Sequence, residues 1–317
     1  MNKKVVVLGG GTGMSNLLSG LKQYPLDITA IVSVCDDGRS TGILREEFNI
    51  PAVGDIRRVL VSLSETEPLV MDLFNHRFKT KSDLDGHTVG NLLLTAASEI
   101  RGNLSDGIEA LSKVLNLKGK VVPLTEDNVE LVATMEDGTK IIGEENITKS
   151  NKKILDINYD KDFIVNKEVL KSIKNADLII FSPGSLYTSI IPHLIIPEIN
   201  GAINISRAKK LYVSNLFTQP GETDDFKVSD HIKVINKYID LDVVIANDKK
   251  IPSKTAKKYE TEEQKDQVKI DKKEIEKQNC ELISDKLYHF SNDGTIKHDS
   301  LKTSYLIFSY LMDGVKK

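Results

Sequence analysis

Short apolar runs and helical apolar spacing alternate along most of the chain. Residues 4–8 and 28–34 are β-branched runs typical of strands that are buried on both faces of a parallel sheet. Between them, apolar residues recur three and four positions apart over residues 14–21, which predicts an amphipathic helix that ends before Pro25. The pattern therefore predicts a β-loop-α-β opening with a right-handed crossover.

The middle of the chain departs from this alternation and then returns to it. Helical spacing predicts four consecutive helices, at about 55–64, 67–76, 88–101 and 104–116. Short strands with a turn at Asp137-Gly138 are predicted at 121–124, 129–135 and 140–143, so about 118–165 is expected to form an inserted antiparallel subdomain. Helices are then predicted near 166–174, 193–207 and after Ser229, and strands at 177–181, 211–215 and 242–246.

This order predicts an α/β fold, a Rossmann-like doubly wound and mostly parallel sheet with a small inserted antiparallel subdomain. Residues 1–248 are expected to form the nucleotide-binding domain. Residues 249–277 are crowded with Lys and Glu of mixed sign, which is typical of a solvated helix or a flexible connection. Together with the residues that follow, they are expected to form a C-terminal unit, 249–317, that covers the site.

Composition excludes several classes of protein. A net charge of −3 over 317 residues, with no Trp, gives no reason to expect a nucleic-acid partner. Cys35 and Cys280 form no Cys-x-x-Cys pair, so neither a disulfide framework nor a zinc site is indicated. The first apolar run is too short for a secretion signal, and Pro192 interrupts the richest apolar region. A cytoplasmic protein without a membrane span is expected.

A glycine-rich loop, GGGTG at residues 9–13, joins the first strand to the first helix. Backbone N–H groups and a helix N-terminus at such a position can face a phosphate, and glycines leave room for it. Met14 occupies the position where the dinucleotide fingerprint has a small residue, and the loop lacks the Lys of a Walker motif. A phosphate-binding loop is predicted; a tight turn without ligand is the alternative.

Three aspartates follow in the sequence. Asp36 and Asp37 come directly after the second predicted strand, where one carboxylate could bind a ribose hydroxyl and the other Mg²⁺. An Asx turn that caps this polar loop is the alternative. Asp55 is either the N-cap of the next helix or a second metal carboxylate.

Two later polar loops, residues 181–189 and 215–223, also follow predicted strands. Ligands of open α/β sheets lie over the carboxyl ends of the strands, so these loops are expected to converge with the first two on one crevice. Asn91 could point to the same crevice, and His87 is either a helix-capping residue or an acid or base. No nucleophile motif is present in the sequence.

Together these motifs resemble the YvcK family, the gluconeogenesis factors, which is related to the CofD 2-phospholactate transferases. The resemblance covers about residues 4–300 and rests on six segments, at 9–13, 36–38, 54–57, 86–91, 183–189 and 218–223. It implies a Rossmann-like fold and a UDP-sugar ligand such as UDP-N-acetylglucosamine. It also implies a regulatory role that links carbon metabolism during gluconeogenic growth to cell-wall synthesis and cell shape, with no firm reaction.

The resemblance also implies roles for individual residues. Tyr259, which the Lys-rich surroundings alone would make a surface residue, is similar to a tyrosine that contacts the nucleotide sugar. Lys297 replaces an arginine of the family pattern and cannot reproduce its bidentate fork, and Arg39 stands where the family has Gly. Ser300 matches a threonine that is phosphorylated in relatives, which implies a Ser/Thr kinase as partner. Cell-wall synthesis proteins are further partners, and a homodimer is compatible with the exposed charge.

The expected ligand-binding residues come from all of these loops: Gly10, Gly11, Thr12, Gly13, Asp36, Asp37, Arg39, Asn91, Gly184, Ser185, Leu186, Tyr187, Asn215, Thr218, Tyr259 and Lys297. Mg²⁺, bound with a diphosphate, is expected at Asp37 and Asp55. Three alternatives to a regulatory UDP-sugar-binding protein stay open. They are a Mg²⁺-dependent CofD-type transferase acting on a nucleotide diphosphate donor, a dinucleotide enzyme, and a scaffold without a ligand.

Overall fold

The computed structural model describes residues 2–150, 152–291 and 293–313. Within these residues the chain forms twelve strands: β1 (Lys3–Gly9), β2 (Leu26–Val32), β3 (Lys120–Pro123), β4 (Leu131–Met135), β5 (Lys140–Ile142), β6 (Ile154–Tyr159), β7 (Leu178–Phe181), β8 (Lys209–Val213), β9 (Val243–Asn247), β10 (Glu281–Asp285), β11 (Tyr288–Phe290) and β12 (Ile296–His298).

Helices connect most of these strands. In the same described ranges they are α1 (Gly11–Leu21), α2 (Arg39–Phe48), α3 (Gly54–Leu63), α4 (Pro68–Asn75), α5 (Val89–Arg101), α6 (Leu104–Val114), α7 (Glu144–Lys149), α8 (Lys167–Lys174), α9 (Ile191–Leu194), α10 (Pro197–Ile205), α11 (Val228–Ile235), α12 (Ser253–Glu263), α13 (Lys272–Glu276) and α14 (Ser300–Asp313). A π-helical turn (Leu186–Ile190) precedes α9.

Seven strands form one sheet in the order β3-β2-β1-β7-β8-β9-β10, and each neighbouring pair is parallel. The central strands are buried on both faces, because the apolar runs that predicted them leave no polar side to face water. Strand order reverses between β1 and β7, as in doubly wound folds. The predicted Rossmann-like α/β fold is confirmed.

The inserted subdomain is a separate three-stranded antiparallel sheet, in which β4 pairs with β5 and β6. The prediction started it at about 118, but β3 pairs in parallel with β2 and belongs to the main sheet. The antiparallel part therefore lies within residues 131–159. Strand β6 escaped prediction because its buried residues, Ile154 and Ile157, are three positions apart and do not show the alternation of a half-buried strand.

The structure also draws the C-terminal boundary differently from the sequence. Within the predicted unit 249–317, β10 extends the main sheet beside β9, and α14 packs against α1. The helices approach closely at Gly20, where a Cβ would lie 2.2 Å from the Ser300 carbonyl oxygen. Residues 281–285 and 300–313 thus complete the main domain, whereas α12 and the β11–β12 hairpin lie over its ligand edge.

The polar loop after β2 is short, because α2 begins at Arg39 and buries Leu44. One further local prediction was wrong. The single helix predicted at 193–207 is two helices, since Pro197 lacks the N–H that would continue α9 and instead begins α10. No helix in the described ranges combines the length and apolar character that crossing a membrane requires.

Candidate functional site

The site lies where strand order reverses, at the carboxyl ends of β1 and β7. The glycine loop after β1 and the residues after β7 meet there, as expected for ligand crevices of doubly wound sheets. Gly9 is held at the start of the loop, since its carbonyl oxygen accepts the Ser33 N–H at 3.1 Å and lies 3.3 Å from the Nε2 of buried His193. The loop is therefore anchored before the helix begins.

Glycines in this loop allow two close approaches. A Cβ on Gly13 would lie 2.0 Å from the Pro183 carbonyl oxygen, and one on Gly10 would lie 2.5 Å from the Asp55 carboxylate. Met14 fills the core instead of the ligand side and is fully buried. The departure from the dinucleotide fingerprint is thus accommodated in the core, and the loop remains open toward the carboxyl ends of the strands.

A cavity of about 410 Å³ opens beside the loop. It is bounded by residues after β1, β7 and β8, by α12 and by the β11–β12 hairpin. Eight of the predicted ligand-binding residues line it: Thr12, Gly13, Gly184, Ser185, Asn215, Thr218, Tyr259 and Lys297. This volume is within the range of about 300–1,000 Å³ that is typical of small-molecule sites.

The loop after β7 is fixed by side chains from the next strand's loop. Asn215 accepts the Gly184 N–H through Oδ1 at 2.9 Å and donates from Nδ2 to the Gly184 carbonyl at 2.7 Å. The Ser185 hydroxyl accepts the Thr188 N–H and donates to Glu222. Burial raises the pKa of Glu222 to about 7, an effect that the Ser185 hydroxyl partly offsets. Glu222 lies in the segment 218–223 but was not predicted as a site residue.

An aromatic wall faces the glycine loop across the cavity. The rings of Tyr259 and Phe217 stack with centroids 4.3 Å apart and an interplanar angle of 15°. The Tyr259 hydroxyl accepts the Ile296 N–H at 2.9 Å, and so connects α12 to β12. Tyr259 is buried, in contrast to the surface position that its charged neighbours alone suggested. Its hydroxyl holds the hairpin in place while its ring lines the cavity.

The predicted carboxylates separate into two environments. Asp36 accepts the Gly38 N–H at 3.0 Å and the Thr41 hydroxyl at 3.3 Å, which is the Asx-type arrangement considered as the alternative. Asp37 accepts the Glu145 N–H at 2.7 Å and thereby joins the inserted subdomain to the main domain. Neither residue lines the cavity described above.

Asp55 lies beside the glycine loop at the start of α3. Burial raises its pKa to about 6; the ion pair with Arg58 opposes this rise, and the negative charge of Asp36 adds to it. Glu144, at the start of α7, is a second buried carboxyl group close to both aspartates. Burial and these neighbours raise its pKa well above the usual range, and the Thr188 hydroxyl donates to it at 3.0 Å. No sequence motif pointed to Glu144, because its proximity arises only from docking of the inserted subdomain.

These carboxylates do not by themselves form a metal site. In the part of the chain that the structure describes, no three His, Cys, Asp or Glu side chains are placed to hold a metal ion. Asp37 accepts the Glu145 backbone N–H. The negative charge of Asp36 raises the pKa of Asp55, so these two carboxylates lie close together. A Mg²⁺ ion here would have to take further oxygens from a bound diphosphate, which is the usual manner of Mg²⁺ binding. The metal assignment of Asp37 and Asp55 stays a prediction.

Several predicted residues lie outside the cavity lining. Asn91 is buried; its side chain accepts a hydrogen bond from Arg57 Nε at 3.3 Å and donates one to the Ser40 hydroxyl at 3.2 Å. The Ser40 hydroxyl is in turn hydrogen-bonded to His87. Leu186 is buried, and the half-buried Tyr187 packs against the core. Gly10 and Gly11 do not line the cavity, and a Cβ on either would have the Asp55 carboxylate as its nearest neighbour.

Two other predicted residues, Arg39 and Ser300, lie at the first turn of a helix. Arg39 is exposed and has a φ of +38°, a region that favours glycine, the residue that the resemblance leads us to expect at this position. Ser300 is half-buried at the first turn of α14, where a helix N-terminus favours negative charge.

Similarity to known proteins identifies the family of this chain. The sequence model of the family described as "2-phospho-L-lactate transferase CofD" matches residues 5–288. The chain is 43% identical over 314 residues to the gluconeogenesis factor of Bacillus subtilis, with 98% of each chain covered. This chain belongs to the gluconeogenesis factor branch of the CofD family. The resemblance inferred from the motifs is thus confirmed.

Further relatives support this family membership. The gluconeogenesis factor of Halalkalibacterium halodurans is 43% identical over 309 residues, with 96% of this chain and 95% of the relative covered. A crystal structure of a protein from Bacillus halodurans superimposes with a TM-score of 0.93 at 43% identity, covering 97% of this chain and all of that chain. This chain therefore shares its fold with that solved structure over nearly the whole chain.

Proposed function

We propose that this gluconeogenesis factor is a cytoplasmic regulatory protein that binds a UDP-sugar, such as UDP-N-acetylglucosamine. The observation that carries the proposal is the cavity at the switch point, which is lined by residues of the glycine loop and of the Ser185 loop together with the stacked rings of Tyr259 and Phe217. A diphosphate requires donors without bulky side chains, and a planar base requires an apolar ring. Lys297 at the rim adds a positive charge suited to an anionic ligand.

The position of the cavity argues against a dinucleotide enzyme. In NAD-binding folds, an acidic residue after the second strand binds the ribose. Asp36 has that position in this chain, but its carboxylate already accepts hydrogen bonds from the Gly38 N–H and the Thr41 hydroxyl. The cavity instead extends toward β8 and α12. The ligand that fits this arrangement has its diphosphate at the switch point and its base on the β8 side.

The regulatory role rests on the family. A protein that senses a cell-wall precursor can link carbon supply during gluconeogenic growth to cell-wall synthesis and cell shape. Phosphorylation of Ser300 by a Ser/Thr kinase would add negative charge at the start of α14, next to the hairpin that bounds the cavity. Cell-wall synthesis proteins, and a second copy of the chain, are the proposed partners.

Isothermal titration calorimetry with UDP-N-acetylglucosamine, UDP-glucose, GDP and NAD, with and without Mg²⁺, tests the proposal. The expected result is selective binding of a UDP-sugar, weakened about tenfold or more by Tyr259→Ala because base stacking contributes about 1–3 kcal/mol. Phe290→Ala is the matched control, since Phe290 is an exposed aromatic residue of the β11–β12 hairpin and does not line the cavity. Absence of binding by any of the four ligands would refute the proposal.

A Mg²⁺-dependent transferase of the CofD type is the second candidate. It is favoured by the carboxyl group of Asp55, which lies beside the glycine loop, and by that of Glu144 near Asp55; the two could accept a cation that also contacts a diphosphate. Phosphorus NMR of a UDP-sugar or a GDP-linked donor with Mg²⁺ would detect cleavage of the diphosphate. Turnover that is lost in Asp55→Asn would establish this activity, and an unchanged donor spectrum would exclude it for the donors used.

A further inference from the structure

The hydrogen-bonding capacity of the Ser185 hydroxyl toward the cavity is restricted by its neighbours. It accepts the Thr188 N–H at 2.9 Å and donates its proton to Glu222 Oε2 at 2.6 Å. Ser185 lines the cavity, yet a hydroxyl carries a single proton. While that proton points at Glu222, Ser185 cannot donate to an anionic ligand.

Glu222 is placed where its charge is poorly supported. It is 5% exposed, and its Oε1 is buried without a hydrogen-bond partner among the described residues. The titratable groups that face it are Asp224, from its own segment, and Tyr187, from the π-helical turn, and neither supplies a positive charge. The Ser185 hydroxyl and the Tyr187 backbone N–H favour the carboxylate but do not outweigh the effect of burial on its pKa. A buried carboxylate in such surroundings favours its protonated form, and burial raises the pKa of Glu222 to about 7.

Protonation of Glu222 would change what Ser185 offers to the cavity. A protonated carboxyl group can donate to the Ser185 oxygen, which still accepts the Thr188 N–H through its other lone pair. The Ser185 O–H is then released to donate to an oxygen of the ligand. Protonation also removes a negative charge from the vicinity of a bound diphosphate, so both effects strengthen binding of an anion.

We propose that Glu222 is a positioning residue that couples the uptake of one proton to the binding of an anionic diphosphate ligand, acting through the Ser185 hydroxyl. The identity of the ligand rests on the proposed function, whereas the coupling rests on the Thr188–Ser185–Glu222 contacts. The proton is taken from solvent and resides on the Glu222 carboxyl group in the complex.

The size of the effect follows from linkage. If the ligand binds only the form in which Glu222 is protonated, the affinity is nearly constant below about pH 6 and falls about tenfold between about pH 6 and about pH 8. Near pH 8, close to one proton is taken up per ligand bound. A UDP-sugar is a suitable probe, because its diphosphate is a diester and keeps the same charge over this range.

The test is calorimetric titration of the full chain with UDP-N-acetylglucosamine at both ends of this pH range, in pairs of buffers that differ in ionisation enthalpy. Wild type should show the tenfold loss and the proton uptake. Glu222→Gln keeps a permanent donor toward Ser185, so it should bind with the acidic-range affinity of wild type at every pH, without proton uptake. Glu263→Gln is the matched control, since Glu263 lines the cavity but pairs with Lys265; it should keep the wild-type pH dependence.

Ser185→Ala provides a second variant, in which the Glu222 side chain is retained. It should bind more weakly in the acidic range and keep only the smaller part of the pH dependence that comes from the charge of Glu222, since the hydroxyl through which the proton acts is removed. Binding in which wild type takes up no proton, or in which Glu222→Gln keeps the tenfold pH dependence, overturns the coupling and leaves the proposed function intact. Absence of binding at every pH overturns both.

Discussion

Replacing Gly13 by alanine tests whether the glycine loop and the loop after β7 must touch. The added Cβ would lie 2.0 Å from the Pro183 carbonyl oxygen and 2.7 Å from its carbonyl carbon. Carbon and oxygen atoms approach to about 3.3 Å without repulsion. Because the obstructing atoms are backbone, the β7 loop must move by about 1 Å, and it carries Gly184 and Ser185 with it.

The cost of this movement can be bounded. Overpacking of this kind costs about 1–3 kcal/mol, and alanine in place of glycine within a helix returns about 0.5–1 kcal/mol. We therefore expect the free energy of unfolding to fall by about 1–2 kcal/mol, measured by urea denaturation with far-UV circular dichroism. UDP-sugar affinity should fall about tenfold or more, since the displaced residues line the cavity.

Gly201→Ala is the matched control for this experiment. Gly201 is exposed within α10, and a Cβ there would meet no atom within 4 Å. The same substitution should therefore raise stability by about 0.5–1 kcal/mol and leave affinity unchanged. If Gly13→Ala were as stable as wild type and bound the ligand equally well, the close approach of the two loops would not be a requirement of the site.

Three further outcomes follow from individual contacts. Tyr259→Phe leaves the Ile296 N–H without its acceptor and should cost about 1–3 kcal/mol in urea denaturation; an unchanged midpoint would contradict this. Arg39→Gly relieves a φ of +38° and should stabilise the fold by about 1 kcal/mol, whereas a lower melting temperature would exclude strain there. Because burial raises the pKa of Asp55 from 3.8 to about 6, the folded state binds that proton more tightly, so stability falls as pH rises through this window. Asp55→Asn should make this part of the stability profile shallower, and an equally steep profile would refute the reasoning.

The sequence was sufficient for five of the seven strands of the main sheet and for one side of the site. Buried parallel strands are contiguous apolar runs, and their loops follow directly in the chain, so the amino-acid pattern alone places Gly13, Gly184 and Asn215 at one edge. Tyr259 required the family resemblance. Its neighbours are charged because they face water on α12, whereas its ring stacks on Phe217 and packs in a cluster with Ile251 and Ile296.

Other residues could not be placed from local pattern because their partners are distant in the chain. Glu144 reaches Thr188 only because the inserted subdomain docks on the main domain, and Asp37 is turned toward Glu145 by the same docking. Asn91 is the opposite case, because the local sequence pattern predicted a ligand contact that distant partners prevent. It follows a glycine at the start of a helix, as a ligand-facing residue would, but Arg57 and Ser40 hold it away from the cavity lining.

The packing of α14 on α1 and the position of the β11–β12 hairpin have a consequence for synthesis on the ribosome. The cavity needs Thr12 from the beginning of the chain and Lys297 from its last described strand. A nascent chain therefore has no complete cavity until translation has passed the hairpin. Any ligand that needs both sides of this cavity would bind finished chains and not unfinished ones, so it could stabilise the folded protein but could not assist its folding during translation.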